Sequence, residues 1–246
     1  MIKVSAVSYL NTMPFIYGLK HSNFIKSIDL QLNYPSLCAE KLLNNEVDIA
    51  LVPVAIIPQL KNYFLISDYC IGSFGCVDTV CLYSNVDIRE VTKITLDYQS
   101  ITSVALLKIL LKEYWDLKPL ITKSNPGFEN NIKGSNAALV IGDRAFKMNN
   151  QYKYIYDLSE IWKEMTGLPF VFATWVSNKI ISKKFIKIFN QSLEYGLQNI
   201  DLGLELYSKD YPLCLSPINY LTKKISYNFD ETKKEALNLF LSKMES

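Results

Sequence analysis

The sequence predicts an α/β protein of two lobes, closed like a clamshell over a cleft. Three observations predict it. Apolar runs such as Val47-Asp48-Ile49-Ala50-Leu51-Val52 and Ala137-Ala138-Leu139-Val140-Ile141 have the pattern of strands buried on both faces, as parallel sheets require. Strand and helix patterns alternate in two successive series, with chain crossings expected near residues 80–88 and 172–178. Four strand ends carry small or polar residues: Ser8 to Thr12, Pro35-Ser36, Thr102-Ser103 and Gly142-Asp143. Ligands of α/β sheets sit beyond the carboxyl ends of strands, so these residues are expected to face one cleft.

In chain order, Ile2, Val4 and Ala6 alternate with polar residues and predict the first strand. Asn11 or Thr12 is the expected cap of the helix that follows, with Pro14 in its first turn and Phe15 to Leu19 in its body. A strand feeding a helix N-terminus leaves backbone N–H groups and a positive dipole end for an anion. Ile28 to Asn33 is a strand, Pro35-Ser36 opens a helix through Leu43, and Pro53-Val54-Ala55 turns into a short helix around Pro58. Asp68 to Ser84 is long for one strand and is expected to be two, or one bent crossing strand.

The second series has a strand at Val91 to Leu96 and an apolar helix at Thr102 to Trp115. A short strand at Leu120 to Thr122, a loop at Ser124 to Ser135 and a strand at Ala137 to Ile141 follow, and Gly142-Asp143-Arg144 starts the next helix. Phe170 to Ser177 returns to the first lobe. The expected lobes are 1–86 with 177–246, and 87–176. In the tail, Ser182 caps an amphipathic helix with Phe185, Ile188, Phe189, Leu193 and Leu197 on one face. Pro217 opens another helix, and Asn228-Phe229-Asp230-Glu231 resembles a capping box before the last one.

Composition removes several function classes. The chain has 246 residues, 49% hydrophobic and 13% aromatic, which suits a packed globular protein. Net charge is +2, and its 26 basic residues include only two arginines, Arg89 and Arg144, with no basic block. Nucleic acid is therefore not an expected partner, and a carboxylate ligand must rely on helix ends and hydroxyls. No apolar run approaches the ~20 residues of a membrane span, and no leader pattern opens the chain, so a cytoplasmic protein without a membrane partner is expected. Five cysteines without CxxC spacing are expected to be reduced thiols. The single histidine, His21, falls in a polar turn after the first helix, which argues against a His-metal site or a Ser-His-Asp triad. Gly72-Ser73-Phe74-Gly75 does not match a phosphate-cradling loop, so no cofactor is expected. The composition leaves oligomeric state open.

Five ordered motifs carry a resemblance. Ser8-Tyr9-Leu10-Asn11-Thr12-Met13-Pro14, Val47 to Val54, Thr102-Ser103-Val104-Ala105-Leu106-Leu107-Lys108, Ile141-Gly142-Asp143 and Trp162 to Ala173 resemble the chorismate dehydratases of the futalosine route to menaquinone. The likeness covers about residues 2 to 178. It implies a type II periplasmic-binding-protein-like fold and a lyase that converts chorismate to 3-[(1-carboxyvinyl)oxy]benzoate with loss of water. The sibling 1,4-dihydroxy-6-naphthoate synthases carry a catalytic histidine where this chain has Gly142, which argues against that activity. The family's usual serine is replaced here by Thr79, which keeps the hydroxyl but restricts χ1.

The resemblance implies Asn11 and Thr79 as catalytic residues. Asn11 would orient the substrate and Thr79 would hydrogen-bond the departing oxygen. Thr102 and Ser103, at a helix N-terminus, are expected to hold a substrate carboxylate. The remaining substrate-contact expectations are Ser8, Tyr9, Thr12, Ser36, Pro53, Val54, Gly142 and Asp143. Asp143 could also serve as a base, but a strand-end Asp before a helix is more often a cap, and Asp48 and Asp97 are likewise expected to be turn or cap residues. Without a histidine base, the substrate's enolpyruvyl carboxylate is expected to take the C3 proton, and activity is expected to stay flat where imidazole titrates. The other class of function open to this fold is a non-catalytic cytoplasmic module that binds a small anion.

Overall fold

The protein, seen here in a computed structural model, is described over residues 1–148, 151–211, 214 and 216–245. Its strands are β1 (Ile2–Val7), β2 (Ile28–Asn33), β3 (Ile49–Pro53), β4 (Phe64–Ser73), β5 (Val80–Ser84), β6 (Lys93–Leu96), β7 (Leu120–Lys123), β8 (Asn136–Ile141), β9 (Tyr154–Asp157), β10 (Phe170–Ser177) and β11 (Ser226–Asn228). The helices are α1 (Met13–His21), α2 (Pro35–Leu43), α3 (Thr102–Glu113), α4 (Ala145–Met148), α5 (Leu158–Thr166), α6 (Lys183–Gln198), α7 (Ile200–Tyr207), α8 (Pro217–Asn219) and α9 (Glu231–Glu245).

Two mixed sheets result. One has the order β11-β4-β10-β3-β1-β2, the other β7-β6-β8-β5-β9. β1 runs parallel to β2 and β3, whereas β10 runs antiparallel to both β3 and β4. The chain thus crosses from the first sheet to the second between Ser73 and Val80, and returns between Asp157 and Phe170. This corrects the expected lobe limits. Val80–Ser84 pairs with β8 and β9, so it belongs to the second lobe, and Phe170–Ser177 is a central strand of the first. The strand pattern of 68–84 does divide in two, but its halves lie in different sheets.

Local chemistry explains the element ends. The Ser182 hydroxyl accepts the Phe185 N–H and caps α6, and the Asp230 carboxylate accepts the Lys233 N–H at the start of α9. Pro217 opens a short turn that continues as a π-type turn over Tyr220–Lys224. Thr12 holds the N-cap position of α1 as expected, but neither its side chain nor that of Asn11 makes a capping hydrogen bond. Residues Leu10–Thr12 form a 3-10 turn, and the Thr12 hydroxyl donates to Asn11 Oδ1 at 3.1 Å instead. α1 packs against α6 through facing glycines. A Cβ on Gly18 would lie 1.9 Å from the Ser192 carbonyl oxygen, and one on Gly196 would lie 1.8 Å from that of Pro14. The first-lobe core gathers Phe15, Trp175 and Phe189, all fully buried with tilted or edge-on rings. This packing fixes the start of α1 against the cleft.

Candidate active site

A cleft of about 580 Å³ lies between the lobes. Its walls come from the end of β1, the Thr79 turn, the start of α3 and the end of β8, with β10 behind them. Of the expected site residues, Tyr9, Asn11, Thr12, Pro53, Thr79, Thr102, Ser103 and Gly142 line it. Four others do not line it. Ser8 is exposed and gives its N–H to the Asn33 carbonyl, Val54 is buried in the core, and Pro35 takes the place foreseen for Ser36. Asp143 faces the other lobe.

Three hydrogen bonds hold the lobes together across this cleft. The Leu10 N–H donates to both oxygens of Asp143, at 3.1 and 3.2 Å. The Tyr9 phenol donates to Gln99 Oε1 at 2.5 Å, and the Ala55 N–H donates to Thr102 Oγ1 at 3.2 Å. Since Thr102 Oγ1 already accepts, its own hydrogen is available to a ligand. Gly142 is needed for this closure. Its φ is +67°, and a Cβ there would meet the Tyr9 ring at 2.6 Å. Arg144, the one arginine near the cleft, is committed elsewhere. It pairs with Asp97 at 2.6 Å and Glu129 at 2.7 Å and lies over the Tyr98 ring. Asp97 is no simple turn residue, because it also accepts the Gln99 and Ile141 N–H groups.

Burial pushes the Asp143 carboxyl up to about 6, and the Leu10 N–H offsets only part of that rise. The folded chain holds the Asp143 proton more tightly than an unfolded chain, whose carboxyl titrates near 3.8. Its contribution to stability is thus greatest below pH ~4, falls as pH rises to about 6, and stays low above that. Asp143→Asn removes the ionisation cost while keeping an acceptor for Leu10. Relative to the parent, its stability is expected to rise by about 2 kcal/mol between pH 4 and pH 7. Parallel melting curves across that range, with a constant difference between the two proteins, would refute this titration.

The Thr79 turn is held from two sides. Asp78, just before it, has the left-handed φ of +65°. The Asp157 carboxylate accepts the Val77 and Asp78 N–H groups at 2.8 and 2.7 Å, while its other oxygen caps α5 through Ser159 and Glu160. The Asp78 carboxylate pairs with Lys224 at 3.1 Å. The Thr79 carbonyl accepts the Gly142 N–H at 2.9 Å, which sets these two site residues side by side. The Thr79 hydroxyl is 2.8 Å from the phenol of Tyr220, and Tyr227 donates to the Asn11 carbonyl at 3.1 Å.

Cys76, Asp78 and Asp157 have ligand atoms within 4.8 Å of one another, the spacing of a metal trio. The donor chemistry does not fit a cation. Both Asp157 oxygens already accept backbone N–H groups, Lys224 already neutralises Asp78, and burial holds the Cys76 thiol protonated. The trio instead braces the turn that presents Thr79.

A profile for the family described as menaquinone biosynthesis matches residues 2–246. The chain belongs to that family. The match includes the helical tail, which the motifs alone did not reach. A relative from Thermus thermophilus named chorismate dehydratase is 29% identical over 187 residues, 68% of this chain and 66% of its own length. One from Campylobacter jejuni with the same name is 27% identical over 96% of this chain and 94% of its own. Among solved structures, an Archaeoglobus fulgidus protein matches with a TM-score of 0.77 at 15% identity, covering 99% of this chain and 96% of that one. A Candida albicans protein described as having the generic periplasmic binding protein fold matches at 0.64 and 13% identity, covering 98% and 90%. This family member therefore has the periplasmic-binding-protein fold. No helix among the described residues is long and apolar enough to cross a membrane.

Sequence reasoning missed Gln99, Asp97, Asp157, Lys224, Tyr220 and Tyr227, which hold the family's motif residues in place. Asp157 had a local signal, as an Asp three residues before Glu160 at the start of α5, whose first N–H groups it accepts. The contacts by which the six brace the site join residues at least 44 positions apart.

Proposed function

We propose that this chain is a cytoplasmic lyase that dehydrates chorismate to 3-[(1-carboxyvinyl)oxy]benzoate in the futalosine route to menaquinone. One observation carries the reading. In a member of the menaquinone-biosynthesis family, whose relatives include proteins named chorismate dehydratase, Asn11, Thr79, Thr102 and Ser103 line one cleft between the lobes. The five cysteines stand as free thiols, in keeping with a reducing compartment.

In this reading the N-terminus of α3, with the Thr102 and Ser103 hydroxyls, binds the ring carboxylate. Charge that builds when the C3 proton leaves delocalises onto that carboxylate, where fixed donors stabilise it. The enolpyruvyl carboxylate of the bound substrate takes the C3 proton. Asn11 orients the substrate, and Thr79 donates a hydrogen bond to the C4 oxygen as it departs. The reaction is redox-neutral and ends in an aromatic ring, so the protein's task is to hold one reactive conformation and its charges.

The test is to mix purified protein with chorismate, with and without chelator, and follow products by mass. Loss of one water at a rate proportional to protein is expected in both arms. Chorismate that binds and returns unchanged would overturn the lyase reading and leave a small-anion-binding module.

A further inference from the structure

Tyr220 lies 141 positions from Thr79 in sequence, yet its phenol oxygen is 2.8 Å from Thr79 Oγ1. It is 3% exposed, and burial pushes its phenol far above the ordinary range, so it stays protonated.

Burial and the neighbouring groups favour one direction for this bond. The single hydrogen of the Tyr220 phenol needs an acceptor, because a buried donor left unpaired is costly. Among the described residues that acceptor is Thr79 Oγ1. Thr79 in turn has only the Val77 carbonyl for its own hydrogen, at a long 3.4 Å. An oxygen arriving in the cleft outcompetes so poor a bond. With Tyr220 donating to Thr79, the Thr79 hydrogen is left to point at the ligand.

We infer that Tyr220 is a positioning residue for the dehydration, committing the Thr79 hydrogen to the departing C4 oxygen. The inference rests on the lyase reading above and deepens it. The C3–H bond breaks and its proton passes to the enolpyruvyl carboxylate. The C4–O bond breaks with its electron pair on oxygen, which Thr79 stabilises by hydrogen bonding. The carboxylate then returns the proton to that oxygen, so water leaves and no protein group changes charge. The geometry of Tyr220 is itself secured. Its ring packs edge-on against Phe146 at 5.0 Å, and the same turn ends at Lys224, which grips Asp78. The C-terminal turn therefore holds Thr79 and the residue before it together.

Tyr220→Phe tests this, because it keeps the ring and its packing and removes only the hydroxyl. Circular dichroism and melting establish that it is folded. Turnover is expected to fall about 10- to 100-fold with KM within about threefold of the parent. In a double-mutant cycle, Thr79→Ala is expected to cost much less in the Tyr220→Phe background than in the parent. A folded Tyr220→Phe protein with parental kcat, or a cycle in which the losses add, would overturn the inference while leaving the lyase reading intact. A parent protein that fails to dehydrate chorismate would overturn both.

Discussion

Thr79→Ala is expected to lower turnover of chorismate by about 100- to 1,000-fold, the loss found when one fixed donor to a developing negative charge is removed. Asn11→Ala should fall in the same range, since Asn11 orients the substrate. Thr79→Ser, which keeps the oxygen, is expected to stay within about tenfold of the parent, the deficit reflecting its freer χ1. Stability responds differently. Removing the Thr79 hydroxyl leaves the buried Tyr220 phenol without its acceptor, at a cost of about 1–3 kcal/mol, or several degrees of melting temperature in a chain of this size. Steady-state kinetics and melting on the same preparations separate the two effects. Alanine variants that melt several degrees lower but keep near-parental turnover would remove both residues from the mechanism and leave them structural.

Gly142→Ala is expected to abolish measurable turnover. The new Cβ would lie 2.6 Å from the Tyr9 ring, on a backbone whose φ of +67° disfavours any side chain. The ring must move, and the Tyr9–Gln99 bond that helps close the cleft goes with it. Each lobe keeps its own sheet, so the variant should fold but scatter X-rays as a more open particle. Adding Tyr9→Leu to Gly142→Ala should recover part of the lost stability, because the clash leaves with the ring. A Gly142→Ala protein as compact and as active as the parent would show that closure does not pass through this contact.

The fold was legible where pattern is local. Buried strands such as Ile49–Pro53 and the Ser182 cap announce themselves within a few residues. The lobe limits were misjudged because Val80–Ser84 and Phe170–Ser177 are both buried apolar strands, and nothing in such a strand says which sheet accepts it. Asn11 and Thr102-Ser103 lie in ordered motifs and Thr79 stands at the position aligned with the family's serine, and the fold brings all four to one cleft. Asp143 was foreseen as a substrate contact or cap, but its oxygens are taken by Leu10, 133 positions away. Tyr220 carries no motif at all. Its importance comes from a long-range approach that only folding creates.

The order of strands in the first sheet also bears on how the chain assembles. β10 sits between β3 and β4, although about a hundred residues separate it from β4 in sequence. A nascent chain that has emerged as far as Ser73 holds a β4 with no neighbour and a β3 with one bare edge. The second sheet draws all its strands from residues 80–157, so it can close while the first stays unfinished. Its contacts span shorter stretches of chain and carry the smaller loop-closure cost. The later-numbered lobe is therefore the natural scaffold on which the earlier one completes itself, once β10 slots into the gap and β11 covers the outer edge of β4.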